Sequence, residues 1–280
     1  MAGDTANQGN LSVSAAPILA NKDPNSSSVF EPTALLREAR RQKGLAPAKV
    51  PAVCILDPDG DIVRRLNNSG QTSRFEAWPC YHTDLFTFAL ASETVGIIGR
   101  VVGAPFAVLI AEELFACGCR LLVSLTSAGQ ILPVASPPYF VIIDRALRDE
   151  GTSYHYAAPA TFAQADPRIV ATAVQALKAA GITGYVGPSW TTDAPFRETA
   201  AAVAAARAKG VLAVEMEAAA LYAFARQKNA AVLCLAHVTN TMGQAERDFE
   251  KGDADGTADA LKILDIITRA LRSSESRGAT

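Results

Sequence analysis

From residue 94 onward, short continuous apolar runs alternate with segments in which apolar side chains recur at helical spacing. Residues 95–102 predict a buried strand, and Pro105 suits the first position of a helix over 106–117 that stops at Gly118. Residues 121–125 and 140–144 predict the next strands. Asp166 and Pro167 form a cap and first-turn pair for a helix reaching Gly181, and 184–190 is again strand-like. Asp193 is expected to cap a helix ending near Gly210; a strand at 211–214, a helix at 217–228, a strand at 231–238 and a helix at 257–271 complete the alternation. The earlier part differs. A helix is expected over 32–43, with Leu35 and Leu36 on one face and Gly44 as its stop, whereas 50–56, 61–66 and 85–90 have strand character around the turn Asp57-Pro58-Asp59-Gly60.

Strands that are apolar throughout, set between helices, predict an α/β fold. Its expected form is a three-layer α/β/α arrangement around a central mixed, mainly parallel sheet. In such sheets ligands collect in the loops beyond the carboxyl ends of the strands. Residues 1–30 carry Ser, Asn, Ala and Pro without a basic start and a long apolar run, so they are expected to form an N-terminal arm, with 31–280 as one α/β domain.

Composition narrows the function. The chain is 49% hydrophobic and 19% charged, and 26 Lys and Arg against 28 Asp and Glu leave a net charge of −2. With no block of like charge, neither nucleic acid nor a membrane is an expected partner. Five cysteines, an odd number scattered through apolar runs, point to a reduced, cytoplasmic protein. Cys117-Gly-Cys119 has no second pair to complete a tetrahedral site, and Asp57-Pro58-Asp59-Gly60-Asp61 has Ile62 and Asn68 where a calcium loop needs Gly and an acid. No metal is expected. Gly99 and Gly103 lack dinucleotide-loop spacing, and no phosphate-binding P-loop, zinc-protease helix or hydrolase nucleophile elbow occurs.

The most informative segment is Val214-Glu215-Met216-Glu217-Ala218-Ala219-Ala220, which sets two carboxylates around a Met where a strand meets an Ala-rich helix. Acids there can complement a helix dipole, or accept hydrogen bonds from the vicinal hydroxyls of a ribose beside a flexible apolar Met. With this segment, residues 50–271 resemble the nucleoside phosphorylase superfamily of the uridine phosphorylase, hexameric purine nucleoside phosphorylase and methylthioadenosine nucleosidase type. The resemblance implies that Glu217 binds the ribose hydroxyls, with Glu215 and Met216 alongside. It places the base-binding loop at Thr191–Thr199, with Thr192, Asp193, Phe196, Arg197 and Glu198 as candidates, and a segment near a subunit boundary at Arg148–Ser153. A helix cap is the competing role for Asp193.

The implied phosphate site departs from the family pattern. The strand-end Gly-Asp-Pro-x-Arg is replaced by Leu56-Asp57-Pro58-Asp59-Gly60, and Ser124 stands where a second Arg precedes the loop Thr126-Ser127-Ala128-Gly129. Loop amides and hydroxyls, from Gly103, Thr126, Ser127 and Gly129, with Arg100 nearby, remain as candidates for holding phosphate or water. Asn240 stands where purine-cleaving members carry an acid, which slightly favours a pyrimidine, uridine-like leaving group; His237 reads either as a packed strand-end histidine or as a catalytic one. The resemblance thus implies a pentosyltransferase cleaving a small-molecule nucleoside with inorganic phosphate as co-substrate and no organic cofactor. Glu217, Arg197 and Asn240 are the expected catalytic residues, and hydrolysis by water or nucleoside binding without turnover are the alternatives. A homo-oligomer, either a dimer or a hexamer of dimers, is expected.

Overall fold

The computed structural model describes residues 16–243, 246 and 248–278, with side chains described as far as Ser273; residues 1–15 of the expected N-terminal arm lie outside the described residues. In chain order the strands are β1 (Val53–Asp57), β2 (Ser73–Arg74), β3 (Phe86–Leu90), β4 (Glu93–Gly99), β5 (Leu121–Gln130), β6 (Tyr139–Asp149), β7 (Phe162–Gln164), β8 (Tyr185–Thr192), β9 (Ala213–Glu215) and β10 (Ala231–Asn240). The helices are α1 (Pro32–Lys43), α2 (Asp61–Asn68), α3 (Ala104–Ala116), α4 (Pro167–Ala179), α5 (Ala200–Ala208), α6 (Ala218–Lys228) and α7 (Thr257–Gly278).

All ten strands join one mixed sheet, in the order β10-β6-β8-β9-β5-β1-β4-β3-β2, with β7 beside β6. β4, β1, β5 and β10 run parallel at its centre. Because β10 pairs with both β5 and β6, the strands β5, β9, β8, β6 and β10 close into a ring, and β1 to β4 extend from it. The period-2 alternation of β1 explains the layers. Cys54 and Leu56 point into a core built with Leu36 of α1, Val108 and Ala111 of α3, and Leu221 and Phe224 of α6. Val53 and Ile55 point the other way, onto Ile62 and Leu66 of α2, Leu177 of α4 and Leu264 and Ile267 of α7. Burying a Leu or Ile on either face contributes about 1.5–3 kcal/mol, which is why a chain this apolar covers both.

Two local expectations are corrected. Residues 61–66 form helix α2 instead of a strand: Ile62, Val63 and Leu66 are buried on one stripe, Arg64 and Arg65 lie outside it, and the Asp57 carboxylate accepts the Val63 amide at 2.9 Å. Asp193 caps no helix. Its carboxylate accepts the Gly151 amide at 2.9 Å, a short 3-10 turn follows at Pro195–Arg197, and α5 begins later under Thr199, whose hydroxyl accepts the Ala202 amide. The Asp166 cap is present, accepting the Arg168 amide at 2.8 Å. β5 and β6 run well beyond the predicted segments, because closure of the ring supplies ladder partners for residues that form no continuous apolar run, such as 126–130 and 145–149.

Candidate active site

The corner between β9 and α6 is built by Glu215. It is 3% exposed, and both its oxygens are taken by the protein: one accepts the hydroxyls of Ser189 and Thr191, the other accepts the amides of Glu217 and Ala218, each at 2.7 Å. Those amides belong to the unpaired first turn of α6, so the carboxylate anchors the helix start and fixes the direction of the next side chains. Thr191 also accepts the Ala219 amide, tying β8 to the same turn. Glu215, expected at the ribose, is thus committed to four protein donors.

Glu217 stands at the helix cap position with a different environment. One oxygen accepts the Gly103 amide at 2.7 Å, and the other, fully buried, has no hydrogen-bond partner among the described residues. Burial, the adjacent Glu215 charge and only partial relief from Gly103 and the neighbouring Thr126 hydroxyl raise its carboxyl to about 8. Gly103 precedes α3 with φ 92° and ψ 147°, a conformation reserved almost entirely for glycine, and this turn aims its amide at Glu217.

Gly103 and Met216 form part of the wall of an open cavity of about 580 Å³, together with His82, Val102, Phe106 and Asp193. This volume is in the range of small-molecule sites. His82, Val102 and Phe106 escaped sequence reasoning; they belong to no spaced motif, and only folding brings 82 against 103 and 216. Of the expected base loop, Asp193 borders the cavity, and Thr192 is buried and accepts the Ala194 amide. Phe196 is 99% exposed, Arg197 is exposed, and Glu198 is half-buried with its carboxyl raised by burial. Neither Phe196 nor Arg197 lines the cavity.

The strand-end residues gather at β5 and β10. Asn240 pairs in register with Gly129; its amide nitrogen donates to Ala128 O and Thr239 Oγ1, and its oxygen accepts the Met242 amide at 2.9 Å. A Cβ on Gly129 would lie 3.0–3.3 Å from side-chain atoms of Met242, Val214 and Asn240, so a side chain here would crowd all three. Thr126 is buried, and Ser127 donates both its amide and its hydroxyl to Asp59. Arg100 is exposed at φ 62°, its stem packed over Gly60. Arg148, at the expected boundary segment, is buried and spent on Ser153 Oγ and the carbonyls of Ala157 and Ala158.

His237 is the packed histidine of the two readings. It stacks on Phe140 with centroids 4.3 Å apart, and burial, reinforced by Lys251, lowers it to about 4. The sign follows directly. A native value below the usual 6.5 means that stability is intact above 6.5 and is lost as pH falls toward 4, by at most roughly 3 kcal/mol. Urea unfolding of wild type and His237→Asn between those limits should show a steeper acid loss in wild type; parallel slopes would contradict the assignment. Among the described residues no group of His, Cys, Asp and Glu is placed to hold a metal, and no helix is long and apolar enough to cross a membrane.

Comparison with known proteins agrees with this architecture. A uridine phosphorylase from Thermococcus kodakarensis is 27% identical over 188 residues, covering 61% of this chain and 67% of that protein. The crystal structure of uridine phosphorylase from Vibrio fischeri ES114, complexed with 6-hydroxy-1-naphthoic acid, superposes with a TM-score of 0.69 at 19% identity, covering 83% of this chain and 99% of that one. Purine nucleoside phosphorylase from Toxoplasma gondii, in complex with immucillin-H, gives 0.69 at 17% identity, covering 81% and 93%. These likenesses show a common fold. The profile of the phosphorylase superfamily matches residues 52–272, which include β1, both carboxylates of the β9–α6 corner and the strand ends of β5 and β10, and the chain belongs to that superfamily.

Proposed function

We propose that the protein cleaves the ribosyl N-glycosidic bond of a nucleoside, with Glu217 holding the ribose hydroxyls. The observation that carries this reading is the buried Glu217 oxygen that no described residue hydrogen-bonds, on a carboxylate held by the Gly103 amide and next in sequence to Met216, both of which line the cavity. A carboxylate accepting two vicinal hydroxyls fixes the sugar while the bond to the base lengthens and positive charge grows at the anomeric carbon. Glu215 acts as a positioning residue. Met216, Val102 and Phe106 supply apolar surface for sugar and base.

A uridine-like base is favoured by Asn240, which cannot protonate a leaving purine, and by kinship with a uridine phosphorylase. Thr192, Asp193, Phe196, Arg197 and Glu198 remain the proposed base loop, with the exposed Phe196 and Arg197 free to fold over a bound base. The exposed Val102 and Leu109 favour a homo-oligomer, a dimer or a hexamer of dimers, and the five free, buried cysteines favour the cytoplasm. Kinship with a uridine phosphorylase supports phosphate as the nucleophile, whereas Gly60 and Ser124, standing where the family pattern carries arginines, support water.

The test is a panel of uridine, thymidine, inosine, adenosine and methylthioadenosine, assayed for released base. Uridine should be preferred. Absence of base release from every nucleoside would overturn the proposal in favour of binding alone. Since the ionised carboxylate is the acceptor, kcat/KM of the free enzyme should rise with pH through about 8, and Glu215→Gln, by removing the neighbouring charge, should displace that rise to lower pH. A profile that is flat across this range would exclude Glu217 as the titrating group.

A further inference from the structure

Ser127 offers two hydrogen-bond donors at the carboxyl end of β5, one residue beyond Thr126, whose hydroxyl neighbours Glu217. Both donors are already occupied by an anion of the chain itself: the amide donates to one Asp59 oxygen at 3.0 Å and the hydroxyl to the other at 2.9 Å. The nearby cation is likewise committed, with Lys251 Nζ 2.6 Å from Asp61 and 3.5 Å from Asp59. Asp57 lies behind them, its carboxyl pushed up to about 7 by burial. The space bounded by Asp57, Asp59, Ser127, His237 and Lys251 is about 20 Å³. That admits one water molecule and no tetrahedral oxyanion.

We propose that the two Ser127 donors form the nucleophile subsite of this site and that Asp59, an intramolecular anion, fills them, keeps inorganic phosphate out and makes water the nucleophile. A phosphate dianion would have to displace a carboxylate from both Ser127 donors and enter a space lined by Asp57, Asp59, Asp61 and Asp255, whose neighbouring cations Lys251 and Arg64 are already paired with Asp59, Asp61 and Asp255. Water faces neither obstacle. The inference rests on the cleavage reading above. In the step it specifies, a water oxygen bonds to the anomeric carbon as the C–N bond breaks and its electron pair leaves with the base. One water proton stays on the new ribose hydroxyl and the other ends on the base nitrogen, so the products are free ribose and neutral base.

Two measurements on the full chain test it. The first is binding of inorganic phosphate alone, by calorimetry and by thermal shift against sodium chloride of equal ionic strength. Wild type should show no phosphate-specific heat or shift. Asp59→Asn, which keeps the shape and removes the charge, and Asp59→Ser, which also opens space, should bind phosphate tighter by roughly tenfold or more. The second separates free ribose from ribose 1-phosphate across the nucleoside panel. Wild type should give free ribose at a rate independent of phosphate, and Asp59→Ser should gain a phosphate-dependent share of ribose 1-phosphate. Ribose 1-phosphate from wild type would overturn the proposal and assign the anion to Arg100, which lies over Gly60 beside this turn. Phosphate affinity unchanged in both variants would overturn it as well. If no nucleoside is cleaved, the cleavage reading fails while the phosphate comparison still decides the role of Asp59. Should Asp59→Ser fail to fold, Asp59→Asn carries the test.

Discussion

Glu217→Ala should lower kcat/KM by roughly a hundred- to ten-thousandfold while the protein stays folded. Hydrogen bonds to a charged partner contribute about 1.5–3 kcal/mol each, and a ribose would make two with this carboxylate. The fold should tolerate the loss because its contributions oppose each other. Removing a carboxyl held at about 8 by burial relieves a desolvation cost, whereas the Gly103 amide loses its acceptor at 2.7 Å. Glu217→Gln refines the result, since its amide oxygen still serves Gly103 but carries no charge. Circular dichroism and thermal unfolding establish folding, and steady-state kinetics establish the loss. A folded Glu217→Ala protein with near-normal turnover would remove Glu217 from the site.

The second large effect is expected at Gly103. A Cβ at this position would meet open space, the nearest atom being Pro105 Cδ at 4.0 Å, so crowding is not the difficulty. The backbone is: φ 92° with ψ 147° costs a residue with a side chain about 1–3 kcal/mol. Gly103→Ala should therefore shift the turn, pull its amide off Glu217 and reduce turnover far more than it reduces stability. Catalytic loss with a modest fall in Tm would match this account. A variant with wild-type kinetics would mean that the Gly103 amide does not position Glu217.

Much of the layered fold was legible before folding. Pro32 to Gly44, Pro105 to Gly118 and Asp166 to Gly181 each carry a start signal, a periodic interior and a stop, and each became a helix within a residue or two of its expected ends. These signals are local, acting within one turn of the chain. Residues 61–66 misled because Ile-Val-Arg-Arg-Leu fits a half-buried strand as readily as one helical turn and a half. The Asp57 carboxylate on the Val63 amide, together with the contact of Ile62 and Leu66 with α7, decided for the helix. Asp193 misled for the same kind of reason: an Asp before a helical run is a cap unless another amide, here that of Gly151, competes for it.

The sequence by itself determined the alternation of strands and helices, the paired acids of the β9–α6 corner and, through them, the superfamily. These depend on which residue types stand at which spacing, and that information is complete in the chain. Only the tertiary structure decided how the two acids divide their work, with Glu215 consumed by four donors and Glu217 left with one free oxygen. Only it placed His82 on the cavity wall and Asp59 on Ser127, across 68 residues of chain. Hydrogen-bond satisfaction and the volume of an enclosed space depend on distances between segments remote in sequence, and no spacing along the chain encodes those distances until the sheet closes.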